Sequence, residues 1–174
     1  MVPARSTENR VLALSTRVRL ECAGGGLRRA SRAISRFFET AFAPLDLTAT
    51  QFSILAAVHL GGPVPLSRLA EALVLDRTSL YRALKPLVRR RCLRILPGRT
   101  GRERTATLTG VGRRLLQVAL PIWEKTQGRF VDALGPRAWA ALHGSLRRVV
   151  PVVRALESSA GASSRPARPP AEPA

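Results

Sequence analysis

The sequence predicts a mainly α-helical chain with one small β-hairpin, folded as a single domain between two tails. Apolar residues recur at helical spacing in six stretches that are separated by Gly, Pro or capping residues. Two short strand-like segments lie near the middle of the chain and are joined by a turn that contains Pro and Gly. A length of 174 residues allows about one domain.

The composition is that of a globular protein with a large excess of positive charge. Hydrophobic residues make up 45% of the chain, which is enough to build a packed core. The 29 Lys and Arg against 11 Asp and Glu give a net charge of +18. Residues 76–114 alone hold twelve basic and two acidic residues, a net charge of +10. Such clustering predicts a polyanionic partner for this segment.

Both ends of the chain are predicted to be disordered tails. Residues 1–21 mix Arg, Ser and Thr without a sustained period, and residues 157–174 contain nothing more apolar than Ala and are rich in Pro. The sequence lacks the roughly 18 consecutive apolar residues of a membrane span and the apolar core of a secretory signal. We therefore expect a cytoplasmic protein that does not bind a membrane.

Four helices are predicted in the first half of the domain. The first covers about 23–43 and stops before Pro44, and the second covers about 49–60 behind a capping box made by Thr48 and Gln51. A short third helix carries the stripe Leu66, Leu69, Ala70, Leu73 and Val74. Asp76 caps a fourth helix, whose apolar stripe is Leu80, Ala83, Leu84, Leu87 and Val88.

The third and fourth helices are separated by only about three residues, which is the arrangement of a helix-turn-helix. The polar face of the fourth helix bears Thr78, Tyr81, Arg82, Lys85 and Arg89. Next come the strands 92–96 and 104–108, whose connection is basic and carries Arg99, Arg102 and Arg104. This is the winged-helix order. It predicts a helix in the major groove of double-stranded DNA and an Arg-bearing ribbon in the minor groove.

Two more helices follow the hairpin. One begins at Thr109 and contains Pro121, which predicts a kink, and the last is opened by Gly135 and Pro136. Their apolar stripes exceed what a compact DNA-binding unit of about 60 residues can cover. We therefore expect these helices to pair with a second copy of the chain, as a homodimer.

Residues 22–156 resemble the MarR (multiple antibiotic resistance regulator) family of winged helix-turn-helix regulators. The motifs that carry the resemblance are LTATQFSIL (47–55), LSRLAEAL (66–73), DRTSLYRALKPL (76–87), ATLTGVG (106–112) and ALPIWEKTQGRF (119–130). The resemblance implies a DNA-binding core over about 47–109 and dimerisation through the N- and C-terminal helices. It also implies a transcription regulator, usually a repressor, that leaves its operator when a small aromatic or phenolic ligand or an oxidant acts on it.

The resemblance also assigns DNA-binding residues. It implies that the helix over 77–91 enters the major groove and that the wing arginine Arg102 enters the minor groove. The predicted recognition-helix contacts are Arg77, Thr78, Ser79, Tyr81, Arg82, Lys85, Arg89 and Arg90, and the predicted wing contacts are Arg99, Arg102 and Arg104.

Three positions depart from the family's pattern. The wing has Thr100-Gly101-Arg102 where the family usually has Asp-x-Arg, and Glu103 is the acidic residue left to support the wing arginine. Arg91 stands where the family usually has Gly, and a side chain in a left-handed helix cap costs about 1–2 kcal/mol, so we expect this helix end to be remodelled. Pro86 inside the recognition helix predicts a bend before Arg89.

The two cysteines differ in their predicted roles. Cys92 occupies a strand position and is expected to be buried packing. Cys22 precedes a run of three glycines at the start of a dimerisation helix, and one branch of the family senses hydroperoxides through a cysteine near its N-terminus. Cys22 is therefore a candidate redox sensor, with an inert exposed thiol as the alternative.

No enzymatic function is predicted. His59 and His143 lie on helix faces without a Cys, Asp or second His at ligand spacing, so the sequence indicates neither a metal site nor a catalytic base. No catalytic nucleophile and no cofactor motif are evident.

Two other functions stay open at this point. One is a basic RNA-binding or ribosome-associated winged-helix module, and the other is a winged helix used for protein contacts. Single-stranded RNA recognition favours exposed aromatic residues, and Tyr81 is the one candidate on the basic surface. The charge clustered over 76–114 argues against the purely protein-binding alternative.

Overall fold

A computed structural model of the chain describes residues 4–98 and 103–163. The predicted wing contacts Arg99 and Arg102, together with residues 164–174 of the C-terminal tail, lie outside the described residues. Within the described part of the chain, no single helix is long and apolar enough to cross a membrane. One bent pair, Ala23–Leu45 with Ala49–Gly61, meets those criteria only when both helices are taken together.

The structure confirms the predicted class, with seven α-helices and three short strands among the described residues. In chain order these are α1 (Ala4–Glu21), α2 (Ala23–Phe42), a 3-10 helix (Ala43–Leu45), α3 (Ala49–Gly61), β1 (Val64–Pro65), α4 (Leu66–Ala72), α5 (Arg77–Arg89), β2 (Leu93–Pro97), β3 (Arg104–Leu108), α6 (Gly110–Leu134) and α7 (Pro136–Ser163). The chain divides into two compact units, the first ending at Thr126 and the second beginning at Gln127.

The first unit has one hydrophobic core, built around α3. Thr48 and Gln51 form the predicted capping box, since each side chain accepts a hydrogen bond from the other residue's backbone N–H. From α2, the ring of Phe42 stacks on that of Phe52 with the centroids 4.8 Å apart. The remaining core is supplied by the apolar stripes of the helices and by the inner face of the sheet, chiefly Ile54, Leu55, Leu69, Leu80, Leu87, Leu93 and Ala106.

The sheet is antiparallel, with the strand order β1-β3-β2. Ala106 in the central strand β3 pairs with Val64 on one side and with Ile95 on the other. The sequence did not predict β1, because two residues are too few to show alternation. This short strand joins the segment before α4 to the base of the hairpin.

The turn between α4 and α5 forces a bulky residue into the left-handed region. Val74 has φ 52° and is 62% exposed. Its N–H donates to the carbonyl of Glu71 at 3.2 Å, and the N–H of Leu75 donates to that of Ala70 at 2.9 Å. These two bonds form a Schellman cap, which ends α4 and reverses the chain into α5.

The end of α5 repeats the same motif. Arg91 has φ 57°, so the left-handed cap is kept and the expected remodelling of this helix end does not occur. Its N–H donates to the carbonyl of Val88 at 2.9 Å, and the N–H of Cys92 donates to that of Leu87 at 2.8 Å. Pro86 lies inside the helix, which nevertheless continues to Arg89.

Thr109 and Gly112 join the start of α6 to the end of α5. The Thr109 hydroxyl donates to the carbonyl of Arg91 at 2.6 Å, and the N–H of Gly112 donates to the Thr109 hydroxyl at 3.1 Å. Gly112 lies so close to β2 that a Cβ atom there would collide with the carbonyl oxygen of Cys92. Only glycine fits this approach.

The prediction of a disordered N-terminal tail is wrong for Ala4–Glu21, which form α1. This segment is rich in Arg, Leu and Ala, which favour the helix, and Arg17 pairs with Glu21 one turn later at 3.1 Å. Its apolar residues are exposed, namely Val11, Leu12, Leu14, Val18 and Leu20. The helix was not predicted because helices were identified by the periodicity of apolar residues, and this segment is only weakly amphipathic.

The second unit contains the end of α6 and all of α7. Gly135, with φ 91°, separates the two helices. The ring of Trp139 makes an edge contact with Phe130 at 5.6 Å and stacks on His143 at 5.2 Å. The C-terminal tail was predicted to be disordered from 157, but α7 continues to Ser163.

Candidate nucleic-acid interface

The start of α5 is fixed by Asp76. This side chain accepts hydrogen bonds from the backbone N–H of Ser79 at 2.8 Å and from its hydroxyl at 2.6 Å. The hydroxyl bond, followed by the backbone bond, lowers the pKa of the Asp76 carboxyl below its usual value, so the cap is charged at neutral pH. The structure thus gives Ser79 a capping role, and its contact with DNA stays a prediction.

The outward face of α5 presents the predicted basic side chains to solvent. Leu80, Leu84 and Leu87 are buried on the inner face. The exposed residues on the other side are Arg77, Thr78, Tyr81, Arg82, Lys85 and Arg89. Helical spacing therefore separates a core-forming face from a face that combines positive charge with hydrogen-bond donors.

Arg77 and Tyr81 form a pair one turn apart on this face. The guanidinium carbon of Arg77 lies 5.7 Å from the centre of the Tyr81 ring, within the range of a cation–π interaction. Tyr81 is still 43% exposed, so part of its side chain is open to a partner.

A cleft of about 440 Å³ joins this face to the base of the hairpin. Arg77 and Tyr81 contribute the recognition-helix side, and Glu103 and Arg104 contribute the wing side. The hairpin is closed above them by a 2.6 Å hydrogen bond from the N–H of Gly98 to the carbonyl of Glu103. Arg104 is therefore the predicted wing contact that the described residues bring next to the recognition helix.

Arg90 differs from the other predicted DNA contacts. Its guanidinium donates to the carbonyl oxygens of Leu45, at 2.9 Å, and of Asp46, at 2.5 Å. The Asp46 carboxylate lies 3.6 Å away. These bonds tie the end of α5 to the turn after the 3-10 helix. The structure therefore gives Arg90 a role inside the fold, and its contact with phosphate stays a prediction.

The two cysteines are placed as the sequence predicted. Cys22 is exposed at the N-cap of α2, where its sulfur accepts a hydrogen bond from the N–H of Gly25 at 3.4 Å. Cys92 is buried, and this burial raises the pKa of its thiol, although the nearby charge of Arg90 acts in the opposite direction.

Among residues 4–98 and 103–163, no group of three or more His, Cys, Asp or Glu side chains is arranged to hold a metal ion. His143 instead stacks on Trp139. The arrangement that the structure does assemble is a basic recognition face with a wing beside it. Sequence reasoning missed the tether through Arg90, because the contact joins residues that lie 44 and 45 positions apart.

Comparisons with known proteins identify the same arrangement. No family model matches the chain, and no curated sequence matches it. Among solved structures, the transcriptional regulator MosR of M. tuberculosis in complex with DNA is 32% identical, with a TM-score of 0.71, and the match covers 78% of this chain and 98% of that one. A mutant MarR from E. coli complexed with operator DNA is 21% identical, with a TM-score of 0.68, over 76% and 96% of the two chains. The regulator PcaV from Streptomyces coelicolor, solved with its natural ligand, is also 21% identical, with a TM-score of 0.69, over 78% and 96%.

Proposed function

The chain belongs to the MarR family of winged helix-turn-helix transcriptional regulators, and from that premise we propose that it binds double-stranded operator DNA as a homodimeric repressor. The observation that carries the proposal is the exposed basic face of α5, which shares a cleft with Arg104 of the wing. An α-helix with its side chains fits into the major groove of DNA, and positive side chains beside it neutralise phosphates.

The side chains divide by position along α5. Thr78, Tyr81 and Arg82 lie in its first half on the exposed face, and Lys85 lies just past its middle. This is the part of a docked recognition helix that reaches base edges. Arg89 lies at the end of the helix and is assigned to the phosphate backbone. In this proposal Arg77 both positions the Tyr81 ring and contributes charge, and Arg99, Arg102 and Arg104 act from the wing in the minor groove.

A homodimer accounts for apolar surface in the terminal helices. In α7, Leu142, Leu146, Val152, Val153 and Leu156 are each between 38% and 65% exposed. Burying such residues against a second copy removes apolar area from water. Two-fold symmetry then presents two recognition helices to a pseudo-palindromic site.

Release from DNA is proposed to follow a small aromatic or phenolic ligand, or oxidation at Cys22. The exposed sulfur of Cys22 is within reach of an oxidant, whereas that of Cys92 is buried. The proposed function is regulatory and includes no catalytic step or cofactor, and its site of action is the cytoplasm. No observation favours the RNA-binding alternative, whereas the solved structures similar to the chain include regulators in complex with DNA.

The test is a gel-shift and footprint with the DNA that flanks the chain's own gene, with and without phenolic ligands or hydroperoxide. We expect two protected half-sites about one helical turn apart. If roughly 6 to 10 phosphates are neutralised, log K should fall against log [salt] with a slope of about −0.9 per phosphate. A monomer by light scattering, or binding that salt does not weaken, contradicts the proposal.

A further inference from the structure

A second cleft, of about 660 Å³, runs along the outer edge of β2. Four consecutive residues of that strand, 93–96, line it. Because successive side chains point to opposite faces of a sheet, a cleft lined by all four follows the edge of the strand and is not confined to one face. Its flanks are the end of α5 and the first turns of α6, through Arg91 and Arg114. None of its lining residues belongs to the DNA-binding set proposed above.

The edge of β2 carries main-chain groups that are free to pair. In the strand order β1-β3-β2, β2 is bonded to β3 on one side only. The N–H of Thr109 donates to the carbonyl of Cys92, and that of Gly98 donates to Glu103, which marks 92/109 and 98/103 as hydrogen-bonded pairs.

Because such pairs alternate in an antiparallel ladder, 94/107 and 96/105 are bonded as well, and the residues between them turn their main-chain groups outward. Leu93 and Ile95 therefore present both N–H and C=O to the cleft. Pro97 presents its carbonyl alone, since proline has no N–H.

The side chains around this edge combine positive charge with apolar surface. Arg91, Arg94 and Arg114 line the cleft, and none of the described residues that line it is acidic. Between them, Leu96, Val111 and Val88 are 47%, 42% and 38% exposed. The arginines alone would be enough to bind a phosphate. The exposed apolar side chains between them and the unpaired strand edge are features that suit a peptide.

We propose that this cleft binds an extended acidic segment of a partner protein, which adds to the sheet as a fourth strand beside β2. Its backbone pairs with Leu93 and Ile95, its carboxylates face the three arginines, and its apolar side chains cover Leu96 and Val111. The chain's own C-terminal residues 164–174 do not fit, because they hold two arginines against one glutamate and four prolines that cannot donate to a strand.

The experiment measures binding of a fluorescein-labelled octapeptide of alternating Glu and Val to the full chain by fluorescence anisotropy. The double variant Arg94→Glu, Arg114→Glu should weaken binding at least about tenfold, because it places like charges against the peptide. The matched control is Arg32→Glu with Arg36→Glu, the same charge change on two exposed positions of α2. Circular dichroism checks that both variants remain folded.

Backbone pairing is tested with the unaltered chain and two more peptides, N-methylated either on every Glu or on every Val. Because alternate N–H groups of an added strand face β2, one of the two should bind at least about tenfold more weakly than the other. Equal binding of the two overturns the strand addition. The Arg94→Glu, Arg114→Glu protein is the β2-edge variant. If the α2 control loses as much peptide affinity as the β2-edge variant, the proposed location of the binding site is wrong.

The same variants are measured on a random-sequence DNA duplex. The proposal predicts a smaller loss of duplex affinity than of peptide affinity in the β2-edge variant. Equal losses identify the cleft as a nucleic-acid surface and overturn the proposal. The peptide measurements do not depend on operator binding, so their outcome is separate from that of the proposed repressor function.

Discussion

Val74 and Arg91 adopt the same left-handed conformation, with φ 52° and 57°, each directly after one helix of the helix-turn-helix. Each supplies the N–H of a Schellman cap, and the recognition helix α5 lies between them. A side chain other than glycine costs roughly 1–2 kcal/mol in this conformation, and a β-branched one is especially unfavourable. The two segments that flank α5 are therefore strained.

Relieving this strain should stabilise the chain. Val74→Gly and Arg91→Gly should each raise the free energy of unfolding by about 1 kcal/mol, since the relief of strain exceeds the greater flexibility of glycine in the unfolded state. The measurement is denaturant unfolding of the full chain. Val88→Gly, inside α5, is the control and should lower stability by about 1 kcal/mol. Equal destabilisation by Val74→Gly and Val88→Gly would contradict the strain argument.

Arg90 should matter for stability. Arg90→Ala removes the charged donor from the carbonyls of Leu45 and Asp46, so we expect the free energy of unfolding to fall by about 1–3 kcal/mol. The exposed neighbour Arg89 gives the matched control, and Arg89→Ala should change stability by less than about 0.5 kcal/mol. Thermal and denaturant unfolding compare the two, and equal small effects would show that the tether contributes nothing.

Gly112 should tolerate no side chain. Gly112→Ala places a methyl group against the carbonyl of Cys92, and separating α6 from β2 should cost about 3 kcal/mol. Gly128→Ala is the control in the same helix, because a Cβ there meets nothing within 4 Å. Helix propensity predicts that this control gains about 0.5–1 kcal/mol. Unfolding curves in which both variants move in the same direction would refute the close approach.

Arg82 and Arg89 should affect DNA binding differently. Arg82→Ala is expected to weaken binding to the operator by about 1–3 kcal/mol and to reduce the difference in affinity between operator and random DNA. Arg89→Ala should weaken both duplexes alike and reduce the slope of affinity against salt by about one phosphate. Fluorescence anisotropy at several salt concentrations separates these outcomes. A uniform loss for Arg82→Ala would exclude it from base recognition.

Cys22 should be the cysteine through which oxidation acts. Stoichiometric organic hydroperoxide should lower operator affinity reversibly in the wild type and in Cys92→Ser but not in Cys22→Ser, because only Cys22 is exposed. If oxidation favours a DNA-incompatible dimer by about 1.4–3 kcal/mol, affinity falls roughly 10- to 150-fold. Unchanged affinity in all three proteins would assign release to a small-molecule ligand.

The sequence predicted the elements whose signals are local. The capping residues Thr48 and Asp76 and the apolar stripes of α2, α3 and α5 gave bounds within one or two residues of those observed. The left-handed Arg91 was not predicted, because the strain of a side chain in that conformation was expected to remodel the end of the helix.

Features that depend on tertiary contacts were missed. The two residues of β1 form a strand because they pair with β3. The Arg90 guanidinium donates to a carbonyl in a turn that is 44 residues away in the sequence, and no local pattern predicts that contact. The tail prediction failed at α1 because amphipathicity was used as the criterion where helix propensity decided. Burial and pairing across the chain are not encoded in any short window.

The pair of Arg77 and Tyr81 gives this protein a built-in reporter. Tyr81 is the single tyrosine of the chain, and it lies on the proposed reading face beneath a guanidinium. Replacement of tyrosine by 3-fluorotyrosine therefore places one ¹⁹F nucleus on each protomer, with a chemical shift sensitive to the position of the Arg77 cation. If the free protein shows one ¹⁹F resonance and the protein bound to an imperfect palindrome shows two, the two half-sites are bound differently. This readout needs no mutation at the interface.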